Sequence, residues 1–382
     1  MTARMAVLLV DALGWELACH TDGFGDGLTV RRRLSTILGF SSGALPTLFT
    51  GRMPAEHGRF LMYRRARGDT PFAGFGALRW LPARLRRSWR LSRLLTRLVA
   101  RRGVRGYFNL YDVPRPLLAE FDLAEREDIF APRGLPGGAW WDALESAGVP
   151  WRGWNWQTPE PEMLEAMAAT LAQGEAQVVF GYTAELDALL HREGSRGPGV
   201  RARLAGYDAW LGRVRREAEI RGEDLWVYLL SDHGMVDVER TVDVMGRLAG
   251  LSVRWPEDYL AFFDSTFARF WWRKQGAREA VRAALEGIPG RWLDEATLAR
   301  EGVRFPDRDY GDDLFLLDPG VLMVPSFMGR EPVAAMHGYD AAHPAMAALL
   351  WSNRPVPESV RHLRDVRGFL EAEVAALARA VA

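Results

Sequence analysis

MAVLLVD, residues 5–11, is apolar without a break through Val10 and then meets a carboxylate at Asp11. A strand with one face in water alternates polar and apolar residues. A strand apolar on both faces is covered on both, as in a parallel sheet between layers of helices. Two further segments share this character, QVVFGY at 177–182 and LWVYLL at 225–230. Each runs into a short polar cluster, with Glu185 and Asp187 after one and Ser231 and Asp232 after the other. Helical patterns at 161–173 and 200–216 lie between these segments. Such alternation predicts an α/β fold, a mainly parallel sheet with helices on both faces. Ligands bind such sheets in the crevice beyond the carboxyl ends of the strands, so these aspartates are expected to converge there.

Composition sets the outer bounds. The chain has 382 residues, 48% of them hydrophobic, which is ample for one large core. Lys+Arg and Asp+Glu both number 49, so the overall charge gives no reason to expect specific nucleic-acid binding. Lys274 is the only lysine, which reads as codon bias in a GC-rich genome. Cys19 is the only cysteine, so no disulfide can form within the chain. The apolar run at 5–10 is too short for a signal peptide, and no stretch approaches a membrane span. The expectation is a soluble cytoplasmic protein with a single catalytic domain over 1–382. Two regions interrupt its core: a basic, helix-rich cap insertion at 59–136 and a smaller α+β insertion at 238–327.

Five short pieces carry the chemistry. They are Asp11; GFSSGALPTLFTG at 39–51; Asp187 with His191 four residues on; SDHGM at 231–235; and HGYD at 337–340. Only seven histidines occur, and His191, His233 and His337 fall in these pieces. With Asp11, Asp187 and Asp232 they make three carboxylates and three imidazoles, a donor set suited to Zn²⁺ and, with more oxygen, to Mn²⁺. Singly, each has an ordinary reading. Asp11 can cap a helix, the spacing from Asp187 to His191 is common by chance, and His337 in a Gly-flanked loop would usually lie at the surface. Asp340 is read as a group behind the ligands, and His57 as a structural hydrogen-bonder.

Taken in order, the pieces resemble the alkaline phosphatase superfamily, and within it the type I phosphodiesterase/nucleotide pyrophosphatase family. Thr50-Gly51 closes the second piece, and the nucleophile position of that family lies nine residues before the Thr, at Ser41. PAEHG at 54–58 also looks like a stretch of the family. The resemblance implies an alkaline-phosphatase-like core and two divalent cations. One would be held by Asp11, Asp232 and His233 with the Ser41 oxygen, the other by Asp187, His191 and His337. It further implies hydrolysis of phosphodiester or pyrophosphate bonds through a covalent phospho- or nucleotidyl-enzyme on a small phosphoester, nucleotide or lipid-linked. Ser42 is the rival nucleophile, since both serines sit where a Gly-rich turn leads into a helix. A phosphomonoesterase or phosphomutase on the same metals, and a binding protein on a decayed enzyme fold, are the alternatives.

One departure stands out. The family places an Asn three residues after the nucleophile, and here that position is Ala44. Its contact to the phosphoryl group must come from the Ser42 N–H, from Asn109 or from an arginine of the insertion. Asn109 and Tyr111, in a polar-aromatic loop, are candidate substrate contacts. Two features tempt further. The stretch 81–105 holds nine arginines with apolar residues near helical spacing, which suits peripheral contact with an anionic membrane or a phosphate clamp. We favour a solvated amphipathic helix with its apolar face on the core. The tryptophans at 140, 141, 151, 154 and 156 read as packing rather than a platform for a base.

Overall fold

The computed structural model describes residues 3–86 and 88–381. The first strand, Ala3–Val10, is buried at every position except Arg4. Its alternating side chains feed two different layers. Met5, Val7 and Leu9 pack with Val178, Phe180, Tyr228 and the helix Leu363–Val381, while Ala6, Leu8 and Val10 pack against the helices Glu160–Gln173 and Pro198–Ile220. This is why the segment carries no polar alternation: neither face reaches water.

Six strands form the central sheet, in the order Val30–Leu34, Ala348–Ser352, Asp224–Leu230, Ala3–Val10, Val178–Thr183, Trp151–Trp154. The last four run parallel to one another, and Ala348–Ser352 is antiparallel to both of its neighbours. The fold is therefore α/β with a mainly parallel sheet, as the buried segments predict. Register fixes the site: Val10 lies opposite Thr183, and Leu9 opposite Leu230. Three carboxyl ends thus stop side by side at one edge.

A second apolar core joins segments far apart in sequence. Tyr259–Phe263, Phe267–Trp272, Asp313–Leu317 and Gly290–Trp292 make a four-stranded antiparallel sheet. The pair Tyr63–Arg65 and Phe121–Leu123 packs on it through Tyr63, Phe121 and Phe262. Arg269 is fully buried between the two; it donates to Asp264 (2.7 Å) and to the Tyr63 carbonyl (2.7 Å). A buried guanidinium is tolerated only when its donors are matched in this way.

The arginine-rich stretch forms the helix Trp89–Arg101, capped by Ser88, whose oxygen accepts from the Leu91 amide. Leu91, Leu95, Leu98 and Val99 turn onto the second core, while Leu85, Trp89 and Leu94 stay exposed, so the apolar side chains of the stretch are covered only in part. Arg87 lies outside the described residues. No helix among those described is long and apolar enough to cross a membrane.

Candidate active site

Asp11 follows the first strand directly, and its amide donates to the Thr183 carbonyl (2.9 Å) across the sheet edge. The next residue, Ala12, has φ of 60°, a left-handed conformation uncommon for a residue with a Cβ. That turn presents the Ala12 amide to Asp232 Oδ1 (3.3 Å), which also accepts from the His233 amide (3.0 Å). On Asp11, Oδ2 accepts from the Tyr182 hydroxyl (2.5 Å). His233 Nδ1 lies 3.0 Å from the Gly234 carbonyl. A carbonyl can only accept, so the hydrogen sits on Nδ1 and the lone pair on Nε2. Nε2 faces Ser41 Oγ (2.9 Å), Asp11 Oδ1 (3.3 Å) and Asp232 Oδ2 (3.3 Å). Asp11, Asp232 and His233 form the inner cluster.

The outer cluster is carried by the helix Glu185–Glu193, on which Asp187 and His191 share a face one turn apart. His191 Nδ1 donates to the Ala335 carbonyl (2.8 Å), which leaves Nε2 turned to Asp187 Oδ1 (3.4 Å). His337 Nε2 meets the same oxygen at 3.5 Å. The His337 ring stacks on His233 with centroids 4.1 Å apart, and Phe40 packs edge-on against it at 5.1 Å. In each cluster, one donor atom from every residue lies within 4.8 Å of the others. All six sequence-selected ligands are thus at one sheet edge, three to a cluster.

Charge shows what the clusters lack. Asp187 Oδ1, Asp232 Oδ2 and His337 Nδ1 are buried with no hydrogen-bond partner among the described residues. Burial, then the neighbouring Asp232 charge, pushes Asp11 well above the usual carboxylate range. Asp232 is pushed up by burial too, with the His233 charge working against the rise. Burial also raises Asp187, but the adjacent His191 imidazole, then His337, outweighs it and brings its carboxyl down to about 2. For His191, burial is outweighed by Asp187, and the imidazole is raised. Burial and His233 hold His337 well below its ordinary value. Buried carboxylate oxygens that lack a partner, Asp187 Oδ1 and Asp232 Oδ2, beside inward-facing imidazole nitrogens are costly alone and suit a cation. The residues present fit a divalent ion in each cluster.

The two serines part company. Ser41 opens the helix Ser41–Thr50, whose first bonds run from the Gly43 and Ala44 amides to the Phe40 carbonyl (2.9 and 3.0 Å). The amides of Ser41 and Ser42 are left pointing out of the helix start, where an anion is favoured. Ser41 Oγ sits in the inner cluster, 3.4 Å from Asp11 Oδ1 as well as 2.9 Å from His233. Ser42 Oγ donates instead to the Phe60 carbonyl (3.3 Å). His57 braces this helix: its Nε2–H is donated to Thr47 Oγ1 (3.0 Å), while Nδ1 accepts from the Arg59 amide (3.2 Å). Burial, then the Arg59 charge, lowers the His57 imidazole to about 3. Ala44 is buried in the core.

Beside Ser41 opens a cavity of about 430 Å³ lined by Met62, Tyr111, Phe130, Trp156, Met323 and Met328 among others. Glu125 and Glu331 are in its wall, and no Arg or Lys is among the described lining residues. Among the described residues of 59–136, no arginine therefore lines this cavity in place of the missing Asn. Tyr111 reaches the cavity, whereas Asn109 serves its own loop, its Oδ1 accepting from the Tyr111 amide (2.9 Å). Asp340 is paired with Arg291 (2.5 Å). Sequence reasoning missed Tyr182, which its place at the end of the 177–182 segment could have flagged. It also missed Glu125, whose carboxyl burial raises to about 7, and for which nothing in the sequence gives a signal. Trp140 and Trp141 are core residues packed with Phe180, but Trp156 lines the cavity and touches Tyr107.

The profile of the type I phosphodiesterase / nucleotide pyrophosphatase family matches residues 40–286. The chain belongs to this family. It is accordingly a phosphoester hydrolase whose family acts on small phosphoesters. No curated protein matches in sequence. Among solved structures, murine ectonucleotide pyrophosphatase / phosphodiesterase 5 superposes with a TM-score of 0.65 at 15% identity, over 97% of this chain and 95% of that one. An inactive variant of the murine protein in complex with AMP gives 0.64 at 15%, over 99% and 95%. The human counterpart gives 0.66 at 13%, over 97% and 95%. At such identities the likeness speaks for the alkaline-phosphatase-like fold.

Proposed function

We propose that this type I phosphodiesterase family member cleaves small phosphodiesters or pyrophosphates with Ser41 as nucleophile and one divalent cation in each cluster, Zn²⁺ in preference to Mn²⁺. The observation that carries the reading is the position of Ser41 Oγ, 2.9 Å from the bare Nε2 of His233, at the face where the two clusters meet. When bound, such cations lower the pKa of a serine hydroxyl and offset charge on the phosphoryl oxygens. The chain itself does the rest. Tyr182 and the Ala12 amide hold the inner carboxylates, and the Gly234 and Ala335 carbonyls fix the His233 and His191 imidazoles with Nε2 inward. The amides of Ser41 and Ser42 lie at the helix start, where they can receive a non-bridging oxygen in place of the family Asn. Ser41 gives its hydroxyl proton to solvent and its Oγ bonds to phosphorus as the bond to the leaving oxygen breaks; the leaving alcohol takes a proton from solvent, or for a pyrophosphate departs as phosphate, and water then hydrolyses the phosphoseryl ester and restores the serine hydroxyl.

A diester is favoured over a monoester because the second ester arm has somewhere to go. The cavity beside Ser41 is apolar and aromatic and lacks cations among its described residues, so it suits an organic arm better than further phosphate charge. The AMP complex of the murine relative supports a nucleotide as that arm. Hydrolysis of bis(p-nitrophenyl) phosphate should exceed that of p-nitrophenyl phosphate. The reverse ranking would favour a monoesterase or mutase, and no turnover of either would favour a decayed site.

A further inference from the structure

Residues 70–111 contain ten arginines and not one Asp or Glu, leaving 39 cations against 49 carboxylates in the remainder of a chain that is neutral overall. The flanking carboxylates are committed elsewhere: Asp69 pairs with Arg126, and Asp112 lies by Arg330. Within the helix Trp89–Arg101 the apolar face is spent on the core, so Arg90, Arg93, Arg97 and Arg101 all fall on the exposed side. The same stretch of chain exposes large apolar side chains. Trp80 is 79% exposed, Trp89 66%, Leu94 61% and Leu85 53%. The arginines Arg79 and Arg90 lie over the rings of Trp80 and Trp89, at 5.0 and 5.7 Å. Exposed indoles are costly in water, and four large apolar groups inside one unbalanced basic stretch mark a contact surface.

We propose that the 79–101 face is a docking surface for an anionic lipid bilayer. Basic side chains meet acidic headgroups, while tryptophan is the residue suited to the headgroup boundary. A nucleic acid would answer the charge but not the exposed leucines. The face also adjoins the cavity. Arg115 donates to Ser92 Oγ on the helix (2.9 Å) and to the carbonyl of Tyr111 (2.8 Å), a cavity residue. Tyr107 and Trp156, in ring contact at 5.3 Å, form its half-exposed rim. Docking through this face would hold the mouth of the cavity near the bilayer.

Sedimentation of the full chain with phosphatidylcholine vesicles, with and without phosphatidylserine, tests the proposal independently of any hydrolysis. Binding should require phosphatidylserine and weaken as salt rises. R90Q/R93Q/R97Q should lower the partition coefficient by on the order of a hundredfold, about fivefold for each charge, and W80A/W89A by on the order of tenfold. Both variants should keep the parent thermal midpoint, because these side chains point outward. Equal binding to both vesicle types, no binding to either, or capture of a single-stranded oligonucleotide without vesicle binding would each overturn it.

Discussion

The two clusters have three candidate ligands each, yet they are electrostatic opposites. The inner one has two carboxylates and one imidazole, all at most 3% exposed, and its acids are driven up by burial and, for Asp11, by the Asp232 charge. The outer one has one carboxylate between two imidazoles, and Asp187 is brought down to about 2 by His191 despite its burial. With no cation, the outer cluster can balance itself as an ion pair. The inner one can balance itself only by holding protons. On the proposed function the inner site would therefore depend on a cation, and Ser41 lies within hydrogen-bond reach of that site.

The largest expected effect follows from this asymmetry. Ser41→Ala should lower turnover by at least roughly a thousandfold while metal analysis still finds both cations. Ser42→Ala should stay within about tenfold, since only a bond to the Phe60 carbonyl is lost. If Ser42→Ala proves the more damaging, the nucleophile has been placed on the wrong serine. Next comes metal content. Asp232→Ala should cost more than about 100-fold in inner-site affinity, beyond what changes behind the ligands cause, and His191→Ala should strip only the outer site.

Stability of the metal-free protein separates the clusters more finely, because the signs differ. Asp11 and Asp232 keep protons that the unfolded chain has lost. Their contribution is thus complete below about 3.8 and disappears as pH rises through their raised folded values. At neutral pH Asp232→Asn should stabilise the metal-free form, by on the order of 1–3 kcal/mol. Asp187 does the reverse. Its contribution is present above 3.8 and lost as pH falls toward about 2, so Asp187→Asn should destabilise by about 2 kcal/mol at neutral pH. Denaturant melts in chelator check both; equal signs would dissolve the contrast. Smallest should be Tyr182→Phe, which removes one donor from Asp11. It should lower activity about tenfold, from a charged hydrogen bond of roughly 1.5–3 kcal/mol only part of which acts on the reaction.

The sequence made the sheet legible where burial is two-sided. The segments at 5–10, 177–182 and 225–230 have no polar alternation, and they became Ala3–Val10, Val178–Thr183 and Asp224–Leu230. Val30–Leu34 was not foreseen, because three arginines in an edge strand read as loop. The residues of the two clusters were legible as a set, because their motifs follow in the order of a known family, although each alone had an ordinary reading. Tyr182 and Glu125 were not, since a phenol in an apolar strand and a lone glutamate gain meaning only from neighbours distant in sequence. Neither was the core shared by residues of 59–136 and 238–327, where Tyr63 meets Phe262 across nearly two hundred residues.

Anomalous diffraction from metal-loaded crystals, with data on both sides of the zinc edge, tests the central claim most directly. The account predicts two peaks flanking Ser41 Oγ, one coordinated by Asp11, Asp232 and His233 and the other by Asp187, His191 and His337. A single peak, or density held by other side chains with Ser41 remote from it, would contradict the account.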